Sequence, residues 1–198
     1  MNRRIVAALA ALLALAGCTT DRSGAALVLE GLHSDPRRVE VATVRRDDPH
    51  TGVATVVGPE VPFANGLDFH TFRLRGWLDP RDPAIHNRFQ ILVRASFPRR
   101  VYLKHAYAQG ERIGLRLIDA ERVCGGGCTW HETVAVPLTL AELERLAGTG
   151  FVFEITGRRE AVVVRVPAGH FAGFLAAFRR HGGGQAGGVS PMRADNRP

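Results

Sequence analysis

Residues 124–132 hold the densest group of chemically reactive side chains in the sequence. They read Cys-Gly-Gly-Gly-Cys-Thr-Trp-His-Glu, which brings two thiols, an imidazole and a carboxylate close together. Two thiolates with His131, and with His105 from elsewhere in the chain, would suit tetrahedral zinc. A redox pair is a second reading. However, thiol oxidoreductases place Cys-x-x-Cys at a helix N-terminus, and here three glycines separate Cys124 from Cys128.

Other candidate catalytic residues do not form a recognisable set. His131 and Glu132 are adjacent, so on a strand they point to opposite faces and do not pair as general acid and base. Asp68 and His70 would share a face, but Asp-x-His is too common to indicate chemistry. The linear signatures Gly-x-Ser-x-Gly, Ser-x-x-Lys and His-Glu-x-x-His do not occur. We therefore predict no catalytic residue, metal ligand or cofactor. An enzyme whose groups converge only in three dimensions stays open.

The start of the chain has the layout of a secretory signal peptide. Arg3 and Arg4 precede an apolar run over residues 5–14, and Leu15-Ala16-Gly17-Cys18 follows. The apolar run is shorter than the roughly 20 residues that span a bilayer. The Leu-Ala-Gly-Cys ending resembles the lipobox of bacterial lipoproteins. The resemblance covers residues 1–18 alone, and it implies export, cleavage before Cys18 and acylation of Cys18, with palmitate as a typical chain.

The lipoprotein resemblance also implies an address. Asp directly after the modified cysteine retains such proteins at the inner membrane, and this chain has Thr19 there. We therefore expect a lipid anchor in the outer membrane with the protein body in the periplasm. In an oxidising compartment, Cys124 and Cys128 are expected to form a disulfide. In the chain-entropy model, a disulfide that closes so short a loop stabilises the folded protein by only about 2 kcal/mol.

The positive charge is almost all arginine. The formal net charge is +7, and Lys104 is the single lysine. The arginine pairs are scattered along the chain, which favours solvated turns and element ends over a nucleic-acid surface. The other reading is attraction to anionic lipid headgroups or cell-wall polymer. The pairs of the mature chain are Arg37-Arg38, Arg45-Arg46, Arg99-Arg100, Arg158-Arg159 and Arg179-Arg180.

Apolar periodicity predicts a chain rich in strands. Alternation indicates strands over residues 39–44, 53–57, 69–75, 89–97, 130–136 and in hairpins of 101–107 with 113–118 and 151–155 with 161–166. Residues 47–66 otherwise read as irregular.

Two helices are predicted near the C-terminus. Thr139 and Glu142 form a capping box for the first, which Gly148 should end. Pro167 should begin the second, with Phe171, Phe174, Leu175 and Phe178 spaced along one face.

We therefore predict a mainly β (β-rich α+β) protein, an antiparallel sheet or sandwich with two short C-terminal helices. Residues 1–17 would be the signal peptide, 18–26 a lipidated tether, 27–181 one domain and 182–198 a disordered glycine-rich tail. The expected role is non-enzymatic, an interaction or envelope-assembly module. Its partners would be the bilayer, reached through Cys18, and envelope proteins or anionic polymers, without nucleic acid. The alternative is a cell-envelope hydrolase that lacks a linear motif.

Overall fold

The computed structural model describes residues 33–65, 68–79, 81–82 and 88–182. Within these residues the chain is strand-rich and antiparallel, as predicted. The strands are β1 (Val44–Asp47), β2 (Ala54–Val57), β3 (Val61–Asn65), β4 (Asp68–Leu78), β5 (Phe89–Phe97), β6 (His105–Ala108), β7 (Glu111–Ile113), β8 (Arg116–Cys124), β9 (Cys128–Leu138), β10 (Phe151–Thr156) and β11 (Ala161–Val166). The helices are α1 (Pro36–Ala42), α2 (Leu140–Thr149) and α3 (Ala168–Arg180).

The strands form two sheets. The larger has the order β1-β2-β4-β5-β9-β8, and β3 also pairs with β4, beyond the stretch that β2 occupies. The smaller has the order β11-β10-β6-β7. The chain crosses from the larger sheet to the smaller between β5 and β6, so residues 98–104 connect the two sheets.

Period-2 alternation places one face of the larger sheet in the core. In β4 the residues His70, Phe72, Leu74, Gly76 and Leu78 are buried, while the residues between them are partly exposed. The aromatic face of α3 covers this side, and the rings of Phe89 and Phe178 lie 4.7 Å apart. The two sheets and the helices contribute to a single apolar cluster.

Helix α1 packs closely on α3 because two glycines of α3 face it. A Cβ built at Gly169 would collide with the carbonyl of Ser34, and one at Gly173 would collide with the carbonyl of Pro36. Val39 of α1 fills the remaining space and is 1% exposed. The spacing of four residues puts both glycines on one helix face, so backbone approaches backbone there.

The prediction of a strand over residues 39–44 is wrong, because α1 occupies most of that range. Asp35 accepts a hydrogen bond from the backbone amide of Arg37 at 2.9 Å and caps the helix, and Pro36 takes the first turn. The alternation of Val39 and Val41 therefore belongs to a helix of seven residues.

The hairpin predicted around Gln109 and Gly110 exists with shorter strands. Both turn residues have positive φ, 53° and 83°, as a tight hairpin turn requires. The strands are β6 and β7, and residues 116–118 belong instead to β8 in the other sheet. The irregular reading of residues 47–66 misses β3.

The capping box of α2 is confirmed. Thr139 accepts from the Glu142 amide, and the Glu142 carboxylate accepts from the Thr139 amide. The helix ends at Thr149, with Gly150 at a φ of 71° as its cap, and not at Gly148. The second predicted helix is confirmed as α3, with Pro167 at its N-cap.

The signal peptide, the tether, Cys18 and residues 183–198 of the tail lie outside the described residues. Among the described helices, none is long and apolar enough to cross a membrane.

Candidate functional site

The two predicted cysteines form a disulfide. Cys124 and Cys128 are register partners at the tip of the β8–β9 hairpin, with their Cα atoms 4.1 Å apart. Gly126 has a φ of 72°, which the absence of a Cβ permits. The bonded sulfurs are not thiolates, so the zinc set considered above loses two of its ligands. Among the described residues, no group of three or more His, Cys, Asp or Glu is placed to hold a metal ion.

His131 and Glu132 point to opposite faces of β9, as expected. The ring of His131 lies on the outer face, with its Nδ1 2.8 Å from Ser96 Oγ. Its register partner on β8 is Glu121, whose carboxylate pairs with Arg94 at 2.7 Å. No described acid therefore forms a hydrogen bond with the His131 ring.

Glu132 is buried, at 1% exposure, and its carboxylate holds the connection between the sheets. Oε1 accepts from the backbone amides of Val101 and Tyr102 at 2.7 and 2.8 Å, and Oε2 accepts from that of Leu103 at 2.8 Å. Three successive amides thus satisfy one carboxylate. This carboxylate shapes a surface loop.

The loop presents Tyr102 to solvent between arginines. Tyr102 is 42% exposed and has a φ of 57°, a conformation that side chains other than Gly and Asn rarely adopt. The guanidinium carbons of Arg100 and Arg158 lie 4.6 and 4.3 Å from its ring centroid. Arg100 also lies 5.3 Å from the ring of Trp130. Cation–π contacts of this kind hold both guanidinium groups at the surface.

Backbone hydrogen bonds bring two of the scattered arginine pairs together. The amide of Lys104 donates to the carbonyl of Thr156, and the amide of Arg158 donates to the carbonyl of Val101 at 2.8 Å. Gly157 permits this approach, because a Cβ there would collide with Val101. The turn between β10 and β11 therefore sits against the connection between the sheets.

We call the resulting region the arginine–tyrosine surface. It consists of Arg99, Arg100, Tyr102, Lys104, Trp130, Arg158 and Arg159. Its five cationic residues are exposed, and none forms an ion pair with an acid in the part of the chain that the structure describes. An exposed acid, Glu160, follows Arg158 and Arg159 in the same turn. The surface therefore carries an excess of positive charge, five cations against the exposed Glu160 and the buried carboxylate of Glu132.

Two histidines lie in the core away from this surface. His70 is 1% exposed, and its Nδ1 accepts from the Ser96 amide at 3.1 Å. His170 is fully buried, with its ring 5.3 Å from that of Phe72. Burial lowers the pKa of His70 and lowers that of His170 to about 4. Both are neutral near pH 7 and serve as core residues.

Sequence reasoning missed the roles of Tyr102 and Glu132. The sequence does contain a pattern that indicates the role of Glu132. It is two and four residues from Val134 and Val136, so on a strand it shares their buried face. A carboxylate in such a position needs several donors, which indicates a nearby loop. Nothing local in the sequence marks Tyr102.

No protein-family model, curated protein or solved structure matches this chain.

Proposed function

We propose that this protein is a lipid-anchored periplasmic binding module whose folded domain docks onto the anionic headgroups of a membrane through the arginine–tyrosine surface. The observation that carries the proposal is the stacking of Arg100 and Arg158 on the exposed Tyr102, each with a second exposed arginine, Arg99 or Arg159, next to it in the chain. None of the candidate catalytic residues or metal ligands named from the sequence is among the residues that define this surface.

The chemistry of the surface fits a phosphate-bearing membrane. Guanidinium groups donate two parallel hydrogen bonds to a phosphate and keep their charge at any physiological pH. Tyrosine and tryptophan favour the membrane–water boundary, where a ring meets apolar material and its polar end stays hydrated. Stacking on Tyr102 fixes Arg100 and Arg158 before contact, which reduces the side-chain entropy lost on binding.

The sequence supports the location. The lipobox at Leu15-Ala16-Gly17-Cys18, with Thr19 after it, supports an anchor in the outer membrane and a body in the periplasm. One acyl chain binds a membrane only marginally, whereas two or more signals make attachment stable. A basic surface on the anchored domain would add a contact that orients the domain at the bilayer.

Co-sedimentation with vesicles tests docking. The full chain carries Cys18→Ser, so that acylation is excluded, and binding is compared between phosphatidylcholine vesicles with and without phosphatidylglycerol. The double variant Arg158→Gln/Arg159→Gln should bind the anionic vesicles about 30-fold more weakly, since each basic residue near such a surface contributes ~1 kcal/mol. The control Arg37→Gln/Arg38→Gln removes the same charge from α1.

If both double variants lose the same vesicle affinity, the binding depends on net charge alone, and the proposed docking surface is wrong. Binding to purified cell-wall polymer without binding to anionic vesicles would assign the surface to a different partner. Rising salt should weaken vesicle binding, because the Debye length shortens to about 8 Å at physiological ionic strength.

The anchor has its own test. After expression in a Gram-negative host, the mass of the mature N-terminal peptide should correspond to acylated Cys18. A product that begins at Met1 would contradict the lipoprotein proposal while leaving the vesicle result intact.

The contact between Ser96 and His131 favours one second candidate, a hydrolase. A serine hydroxyl bonded to an imidazole is the beginning of a nucleophilic site. A fluorophosphonate probe should label the full chain and fail to label Ser96→Ala if this candidate holds. Equal labelling, or none, would exclude Ser96 as a nucleophile.

A further inference from the structure

A groove lies where β4 and β9 end and β5 and β8 begin, beside the N-terminus of α2. Strand β9 contributes Pro137 and Leu138 to this groove and, nearer its other end, Trp130 to the arginine–tyrosine surface. The groove has a volume of about 560 Å³, within the range of small-molecule sites. Its wall is mainly carbon. The lining residues on which the argument depends are Trp77, Arg88, Gln90, Arg116, Thr139 and Glu142.

Three of the five polar side chains that line the groove, Arg88, Gln90 and Arg116, offer hydrogen-bond donors. Arg88 and Arg116 are exposed, and neither forms an ion pair with any acid that the structure describes. The Oε1 atom of Gln90 accepts from Arg75 at 2.8 Å, which leaves the two N–H groups of the Gln90 amide to donate. Two arginines and one amide donor therefore lie among the lining residues of the groove, beside a single acid.

One oxygen of the single acid in the lining, Oε2 of Glu142, is already engaged. Glu142 accepts from the backbone amide and the hydroxyl of Thr139 at 2.7 and 2.8 Å. These bonds belong to the capping box of α2, so the charge of Glu142 is directed to the helix N-terminus. The groove thus keeps an excess of positive charge over an apolar wall.

Trp77 gives the apolar wall a fixed platform. The guanidinium carbon of Arg75 lies 4.5 Å from its ring centroid, and Arg75 is in turn bonded to Gln90. The indole is therefore held in place by its neighbours on β4 and β5. A preorganised aromatic surface of this kind favours an apolar ligand body.

We propose that this groove binds a small amphipathic carboxylate, with its apolar body against Trp77 and its carboxylate on Arg88 and Arg116. The match rests on charge complementarity, since two arginines and an amide donor line the groove against a single carboxylate, whose Oε2 is bonded to Thr139. A neutral ligand of the same shape would leave both guanidinium groups without an acceptor. The proposal is independent of the membrane-docking function.

The two tryptophans of the chain make a direct test available. Trp130→Phe leaves Trp77 as the single tryptophan, so its fluorescence reports on the groove. Octanoate is titrated as the probe, with 1-octanol as the neutral counterpart. Octanoate should give a saturable change in Trp77 emission, and 1-octanol should bind at least tenfold more weakly. Adding Arg116→Gln should weaken octanoate binding at least tenfold, and adding Arg112→Gln, on β7, should not.

Equal binding of octanoate and 1-octanol, or unchanged octanoate binding in Arg116→Gln, would overturn the proposal. An absence of any saturable change in the Trp130→Phe protein would overturn it as well, provided that its thermal unfolding is unchanged. Arg158→Gln/Arg159→Gln should bind octanoate normally in the same assay. Failure of vesicle docking and failure of the groove are thereby separable.

Discussion

The carboxylate of Glu132 accepts a hydrogen bond from the backbone amide of Tyr102 at 2.8 Å, across 30 residues of sequence. Its two other bonds go to the amides on either side of Tyr102. One buried side chain of β9 thus sets the conformation of the loop that carries the exposed tyrosine. The conformation of the loop therefore depends on a side chain of the sheet beneath it.

Glu132→Gln should therefore destabilise the protein by about 2–3 kcal/mol. An amide oxygen replaces only one carboxylate oxygen, and the new N–H₂ group faces a backbone donor in a buried site. Urea unfolding measures the loss. The matched control, Glu121→Gln on the exposed face, should cost at most about 1 kcal/mol, since exposed ion pairs contribute little. Equal midpoints for both variants would contradict the role of Glu132.

The stability of the protein should fall with acidity through His170. Burial lowers its pKa from the ordinary 6.5 to about 4, so the unfolded chain binds a proton there that the folded protein does not. The contribution is complete above pH 6.5 and is lost as the pH falls toward 4. It amounts to about 3 kcal/mol.

Urea unfolding between pH 4 and pH 7.5 checks this linkage. His170→Leu removes the titrating group, so its stability should depend less steeply on pH across that window. The comparison of slopes does not depend on any constant cost of the substitution. Identical slopes in the two proteins would show that His170 does not control the acid sensitivity.

Two helical glycines should respond to alanine with opposite signs. Gly173→Ala puts a Cβ against the carbonyl of Pro36 and should cost about 1–3 kcal/mol, because α1 must move. Gly148→Ala, in α2, meets nothing within 4 Å and should stabilise the protein by about 0.5–1 kcal/mol through helix propensity. Thermal unfolding resolves the two. A neutral Gly173→Ala would contradict the close approach of α1 and α3.

The disulfide should act as a weak local constraint. Cys124→Ser/Cys128→Ser should lose about 2 kcal/mol, the value of so short a loop in the chain-entropy model. Thiol labelling of the unreduced wild-type protein should leave both cysteines unmodified. Labelling of both without reductant would refute the bond, and a loss well above this value would indicate that the hairpin tip has a larger structural role.

The predictable and unpredictable parts of the fold have separate physical origins. The long strands β4, β5 and β9 could be predicted because each turns one face to the core, which gives an alternating pattern that only Leu92 and Ala135 interrupt. Helix α1 was missed because Val39 and Val41 mimic a strand. Asp35 and Pro36 marked its start, but it is the close approach of Gly169 and Gly173 that makes so short a helix stable.

The arginine–tyrosine surface could not be predicted from any local pattern. Arg99-Arg100 and Arg158-Arg159 read as separate solvated ends. They meet because β6 pairs with β10, with His105 opposite Thr156, and a pairing between distant strands leaves no local signal. By contrast, the Cys124–Cys128 bond was predictable because its partners are near neighbours.

Strand β8 has a consequence for self-association. It lies at the end of the larger sheet, with Leu117, Ile118 and Val123 each about half exposed. An edge of this kind offers unpaired backbone groups to a strand from another molecule. Two features interrupt the pairing of this edge with another strand. One is the bulge between Leu117 and Asp119, and the other is the set of charged residues Arg116, Asp119, Glu121 and Arg122. Both features therefore hinder the pairing of this edge with the same edge of a second copy of the chain.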